Sequence, residues 1–379
     1  MNGQFRHIAL IMMAAALVGG CSENGGDTPG SDNTTPEQDY TAIAFSGSLS
    51  EEGTGNVTRS IAADDRTNSI PRAETPLEGV NGEGITTFYV WGYKNTDVEY
   101  NAYQTVMEKY TVIWRNGTAY TTTSNTDGWE YVGVGSAQTI KYWDWSATAY
   151  RFFGIAETPT GQGVANTTNG ASGITFNIDV SSDAGRAAAP YYSKLWFSNG
   201  NPETYPTRLF GQPVKLEFVK PYTKVRFLFK QSEGADELAL TDIRFGPDPT
   251  DPTKIIATAG TFTITYPLTG DAEETWSVTN GTTSLTNSGN TFIGLTVDNK
   301  WYYVLPARAS DQGPYTLSVI ANGEPETAAV PEQFMEWKPG YEYTYVFKID
   351  KTGITLDIIQ VGINNWILRN ASEHTVYNW

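Results

Sequence analysis

The sequence predicts an all-β protein made of antiparallel sandwiches, and three observations carry that expectation. Apolar and aromatic residues alternate with polar ones in short runs, Asn-Gly and Asp-Gly turn dipeptides separate the runs, and no long stretch keeps a helical period. A length of 379 residues suggests two such domains in tandem rather than one.

The N-terminal elements come first. Residues 1–20 read as a lipoprotein signal peptide: Arg6 supplies a charged start, Ile8 to Val18 an apolar core too short to span a bilayer, and Gly19 and Gly20 small residues ahead of Cys21. Val18-Gly19-Gly20-Cys21 fits a bacterial lipobox, in which small residues admit a peptidase and the cysteine sulfur takes the lipid. Several acyl chains, at about 0.8 kcal/mol per buried methylene, would hold the protein on a bilayer. Residues 21–39 are rich in Gly, Asp, Asn, Thr, Ser and Pro and read as a flexible tether.

The folded body is expected from Tyr40. Its first strand has Ile43, Phe45 and Leu49 alternating with small or polar positions; the aromatic run Phe88–Tyr93 follows, then Tyr110–Trp114, Ile140–Trp143, Ala149–Ile155, Ile174–Val180 and Leu195–Phe197. Ala102–Lys109 is the best candidate for a short helix. A stretch with little strand character, Asn201 to Pro206, suggests a boundary near Leu209, giving an N-terminal domain over 40–209 and a C-terminal domain over 210–379. The second set opens with Val214, Leu216 and Phe218, then Val225, Phe227 and Phe229, two half-buried strands joined at Lys220-Pro221. Near its end, Trp337 and the alternating Tyr341, Tyr343 and Tyr345 are expected in the core, followed by the apolar strand Ile354–Ile363.

Composition narrows the function classes. Lys and Arg number 25 against 42 Asp and Glu, a formal charge of −17, so nucleic acid and anionic membrane surfaces are disfavoured as partners. Cys21 is the one cysteine and there are two histidines, His7 in the signal and His374 near the end. A Ser-His-Asp or Cys-His site or a histidine metal cluster therefore cannot be assembled, and no carboxylate pair stands out for glycoside chemistry. No catalytic residue, metal or cofactor is expected. Asp248 and Asp251 lie in a proline-rich loop that lacks the further oxygens calcium needs, and read as a solvated turn. Tyr142, Trp143 and Trp145 leave two readings open, a sugar-stacking platform or, more commonly for such residues, a core face.

The ordered set of these segments resembles the fimbrillin family, the pilins and pilus-associated lipoproteins of type V pili. The resemblance rests on Cys21 in its lipobox, the strand Ile43–Leu49 followed by Thr58-Arg59-Ser60, Phe88-Tyr89-Val90-Trp91-Gly92, and Lys141-Tyr142-Trp143-Asp144 leading into Tyr150 to Ala156. It continues through Val214–Phe229, Trp337-Lys338-Pro339-Gly340-Tyr341 and a closing strand that ends at Trp366. It implies two transthyretin-like antiparallel sandwiches and a structural, non-enzymatic role at the cell surface, either lipid-anchored in the outer membrane or assembled into a fimbrium. It also implies, for shaft and tip subunits, cleavage after an arginine behind the first strand. Arg59, Arg66 and Arg72 are all candidates for that cut. Removal of the first strand opens a groove for a neighbouring subunit's C-terminal strand, a form of β-augmentation. The donor segment expected here comprises Ile354, Leu356, Ile358, Ile359, Val361 and Ile363, with Leu356 and Ile358 on one face and Ile359, Val361 and Ile363 on the other. Partners are thus other pilus subunits and, at a tip, a host protein or glycan. A second reading stays open: a carbohydrate-binding surface lipoprotein that captures glycans.

Overall fold

A computed structural model of the chain describes residues 41–49, 77–78, 84–97, 103–114, 129–134, 138–158, 172–199, 209–231, 240–247, 251, 254–270, 272–285, 291–292, 301–321, 323–330, 335–350, 353–363 and 374–377. In chain order the first strands are β1 (Phe45–Leu49), β2 (Leu77–Glu78), β3 (Gly84–Ile85), β4 (Thr87–Asn95), β5 (Tyr103–Trp114), β6 (Trp129–Glu130), β7 (Ala149–Ala156) and β8 (Gly173–Asp179). After the short helix α1 (Asp183–Ala188) come β9 (Tyr191–Ser193), β10 (Trp196–Asn199), β11 (Val214–Val219), β12 (Thr223–Gln231), β13 (Leu240–Gly246), β14 (Ala259–Thr265), β15 (Thr275–Thr282), β16 (Thr291–Phe292) and β17 (Tyr302–Val304). A second short helix, α2 (Ala309–Gln312), precedes β18 (Thr316–Ala321), β19 (Glu324–Ala329), β20 (Tyr341–Asp350), β21 (Gly353–Ile363) and β22 (His374–Tyr377). The all-β expectation holds.

One eight-stranded sheet, in the order β1-β11-β9-β7-β4-β5-β6 with β10 also on β7, is buried on both faces along β7. The pleat explains how. Even positions such as Phe88, Val90, Tyr150 and Phe152 join one core with Ile43, Phe45, Trp129, Tyr131, Val214 and Leu216. Odd positions such as Trp91, Tyr93, Phe153 and Ile155 face a three-stranded sheet, β15-β14-β8, through Phe176, Phe262, Ile264 and Tyr266. β7 therefore reads as an unbroken buried run, Ala149-Tyr150-Arg151-Phe152-Phe153-Gly154-Ile155-Ala156, where a one-sided strand would alternate. A third core lies between β17-β12-β20-β21-β22 and β16-β13-β18-β19, centred on Phe227, Phe245, Trp337 and Tyr345.

Several local expectations are corrected. The helix expected over Ala102–Lys109 is not seen in its described part: Tyr103 to Trp114 form β5, paired with β4, and Lys109 sits at a positive φ of 48° in an irregular stretch of that ladder. Tertiary pairing outweighs the weak helical pattern there. Ile140–Trp143 makes one isolated bridge, Ala42 to Tyr142, rather than a strand. Asn280-Gly281 is a bulge inside β15, with Asn280 at φ 53°, whereas Gly323, at φ 91°, lies in the turn between the paired strands β18 and β19.

The sheets also do not follow a division at Leu209. β11 joins β1 and β9 in the eight-stranded sheet, and β14 pairs with β8 along seven residues, Ala259↔Asp179 to Thr265↔Gly173. The strands either side of Lys220-Pro221 belong to different sheets. Two pairings, β1 with β11 and β12 with β20, are parallel within the otherwise antiparallel set.

Candidate assembly interface

The N-terminal strand is built into the protein at two levels. Thr41 to Ala44 first lie against residues 141–143: Ile43 N–H donates to the Lys141 carbonyl at 2.8 Å, and Trp143 N–H donates to the Thr41 carbonyl at 3.0 Å. The chain then turns onto β11, where the Val214 N–H donates to the Ala44 carbonyl at 2.8 Å and five residues pair from Phe45↔Val214 to Leu49↔Phe218. β1 is the edge strand of its sheet, with β11 as its one strand neighbour among the described residues.

Period-2 geometry points Ile43 and Phe45 into the core, and both are fully buried. The Phe45 ring meets Phe88, Tyr131 and Phe152 edge-on, at centroid distances of 6.1, 5.8 and 5.9 Å, the geometry that aromatic quadrupoles favour. Tyr131 fastens the same segment from beneath. Its hydroxyl donates to the Ile43 carbonyl at 2.9 Å and accepts from the Lys141 N–H at 3.1 Å, while burial pushes its pKa up and keeps it a neutral donor. Tyr131 was not legible from sequence as a holder of the first strand, because its partner is 88 residues away.

Arg59, Arg66, Arg72 and Cys21 lie outside the described residues. The proposed donor, Ile354–Ile363, is β21, paired antiparallel with β20 from Asp350↔Gly353 to Tyr341↔Ile363 and on its other side with β22. A bulge changes its expected faces. Val346 is opposite Ile358 but Phe347 is opposite Leu356, so Asp357 is the extra residue. Across the bulge Ile354, Leu356, Ile359, Val361 and Ile363 all occupy positions opposite the row Ile349, Phe347, Tyr345, Tyr343 and Tyr341; Ile358 is opposite Val346. The sequence expectation of Leu356 and Ile358 sharing a face fails because simple alternation does not count the inserted residue.

The aromatic triplet divides. Trp143 is in the core, stacked on Phe210 with centroids 5.4 Å apart, while Tyr142 and Trp145 are exposed at 42% and 46%. With its middle member buried, the triplet makes no three-ring platform. Asp144 shapes the turn between them by accepting from Lys94 Nζ at 2.6 Å and from Ser146 Oγ at 2.6 Å; these bonds hold its carboxyl at about 2, below the usual range. Asp248 lies outside the described residues, and Asp251 closes a turn by accepting at its carbonyl from Lys254 N–H at 3.1 Å. Among the described residues no group of three or more His, Cys, Asp or Glu is placed to hold a metal ion, and no helix is long and apolar enough to cross a membrane.

No curated protein matches the chain. Among solved structures it is similar to a fimbrial protein from Bacteroides vulgatus, at 14% identity and a TM-score of 0.36, covering 74% of this chain and 93% of that one. It is also similar to a fimbrial assembly protein from Parabacteroides distasonis, at 11% identity and a TM-score of 0.34, covering 78% and 91% respectively. The model of the fimbrillin-like family matches residues 81–366, from just before β3 to just beyond β21. The chain belongs to the fimbrillin-like family.

Proposed function

We propose that this protein is a structural subunit of a cell-surface fimbria, exported as a lipoprotein through Cys21 and joined to other subunits by exchange of its first strand. The observation that supports this most is the placement of β1. It is an edge strand held by β11, Phe45 on it and Ile43 just before it are buried in the core, and the segment behind it carries Arg59, Arg66 and Arg72. A cut at any of the three would leave the strand held by noncovalent contacts alone. Its loss would open the β11 ladder and an apolar slot, an edge that favours capture of another strand. β21 has the matching pattern: Ile359, Val361 and Ile363 recur at every second residue, the spacing at which Ile43 and Phe45 enter the slot. Donation would require β21 to leave β20.

Limited trypsin treatment is expected to cut between Arg59 and Arg72 while sparing the sandwiches, and the cut protein to form ladders of oligomers. Removal of residues 354–379 is expected to abolish the ladders while the β signal in circular dichroism is kept. Cut, folded protein that stays monomeric at high concentration would overturn strand exchange; loss of the β signal on deletion would make β21 a permanent core strand.

Export is tested separately. Cys21→Ala is expected to lose labelled fatty acid and to leave the outer-membrane fraction, and a variant that still incorporates label there would refute the lipobox reading.

A further inference from the structure

Arg151 is fully buried in the middle of β7, on the face that packs against β14. Its guanidinium stands among aromatic rings, with Cζ 5.2 Å from the centre of Tyr103 and 5.8 Å from that of Phe153. Its one described hydrogen bond runs from Nη2 to the Tyr266 carbonyl at 3.4 Å, and Nε and Nη1 meet no acceptor among the described residues. A lone buried charge is costly, by several kcal/mol, unless an opposite charge accompanies it.

The neighbours on that face repeat the deficit. Tyr93 is the cross-strand partner of Arg151, and Asn95, two residues along β4, is the cross-strand partner of Tyr103. To approach the Tyr103 ring on β5, the Arg151 side chain must cross β4 between these two residues. Asn95 is fully buried, and its amide orientation is set because Oδ1 accepts from the Asp97 N–H at 2.9 Å; Nδ2, like the Tyr93 hydroxyl, has no acceptor among the described residues. Burial and the nearby Glu108 push Tyr93 up to about 12, so it is a neutral hydroxyl and not a phenolate balancing the arginine.

Four donor atoms from three side chains on this face, Arg151 Nε and Nη1, Asn95 Nδ2 and the Tyr93 hydroxyl, thus have no acceptor among the described residues, and two of them belong to one cation. A water molecule could accept two such bonds, but for its own two hydrogens these side chains offer only the Tyr93 hydroxyl oxygen and the second lone pair of Asn95 Oδ1, and a neutral water leaves the guanidinium charge unbalanced. An anion accepts from all four and supplies the missing charge. We propose that Arg151, Asn95 and Tyr93 form a buried site for one small inorganic anion of chloride size, which the fold encloses between the eight-stranded and three-stranded sheets. The site does not depend on the fimbrial reading. Its consequence is that part of the stability of this double-faced sheet is supplied by a dissolved ion, through mass action on the folded state.

Crystals of the protein soaked in sodium bromide are expected to show an anomalous peak within hydrogen-bond distance of Arg151 Nε and Asn95 Nδ2. In solution the melting temperature is expected to be several degrees higher in sodium chloride than in sodium gluconate of equal ionic strength, and Arg151→Met to lose that difference. Density at the site without bromide signal, or an Arg151→Met protein that keeps the full chloride shift, would overturn the proposal. Should Arg151→Met fail to fold, Asn95→Ala keeps the guanidinium and is expected to shrink the chloride shift by removing one donor; an unchanged shift and an absent bromide peak refute the site together.

Discussion

Replacing Tyr345 with alanine is expected to lower the unfolding free energy by about 3–5 kcal/mol, a large share of the roughly 5–15 kcal/mol typical of a domain. Tyr345 is fully buried, stacked with Phe227 at 5.6 Å and set against Phe245 at 5.5 Å. Its hydroxyl accepts from Trp337 Nε1 at 2.7 Å, inside the core. Truncation therefore leaves a cavity and an indole N–H with nothing to bond. Tyr345→Phe separates the two effects: it keeps the ring and strands only the indole, at a cost of about 1–3 kcal/mol. Urea denaturation measures both, and an unchanged midpoint in Tyr345→Ala would show that the row Tyr343, Tyr345 and Phe347 does not face the third core. The same row is the inward face of β20, so Tyr343→Ala is expected to be similarly severe; Tyr343 is 5% exposed and its hydroxyl accepts from the Lys338 N–H at 3.0 Å.

Phe45→Ala is expected to cost about 3–5 kcal/mol in the intact chain, for the same reason: a fully buried ring with three edge-on neighbours cannot be removed without a cavity. An exposed control, Leu268→Ala, is expected to stay within about 0.5 kcal/mol. The larger effect follows cleavage. Once the strand is held only by its contacts, a loss of about 3 kcal/mol corresponds to roughly a hundredfold weaker retention, because each 1.4 kcal/mol is tenfold. Cut Phe45→Ala protein is therefore expected to release its N-terminal fragment and oligomerise much sooner than cut wild type, read by size-exclusion chromatography over time. Equal release from both proteins would show that Phe45 does not hold the strand.

The alternating stretches were legible because a pleated strand with one buried face writes its geometry directly into the order of residues. Val214, Leu216 and Phe218 are buried and Lys215, Glu217 and Val219 only partly so. Trp337, Tyr343 and Tyr345 reach the core as their spacing indicates. The burial of Trp143 likewise follows the commoner fate of an aromatic residue in such a run. β5 was misread because Ala102 to Lys109 offers few apolar residues to set a period, and pairing with β4 then decides its form.

By itself the sequence determined that the protein is all β, where the strongest strands lie, and that Trp337, Tyr343 and Tyr345 belong to a core. Only the tertiary structure decided which strands are neighbours. Hydrogen bonding along a strand edge carries no residue code, so nothing in Val214–Val219 announces that it pairs with Phe45–Leu49 rather than with the strand beyond Lys220-Pro221. The same holds for β8 and β14, which lie far apart in the chain and share one ladder. Faces are decided there too: the extra residue at Asp357 shifts the phase of β21 only relative to a partner, and Arg151 becomes a buried charge only because a second sheet covers the face it occupies.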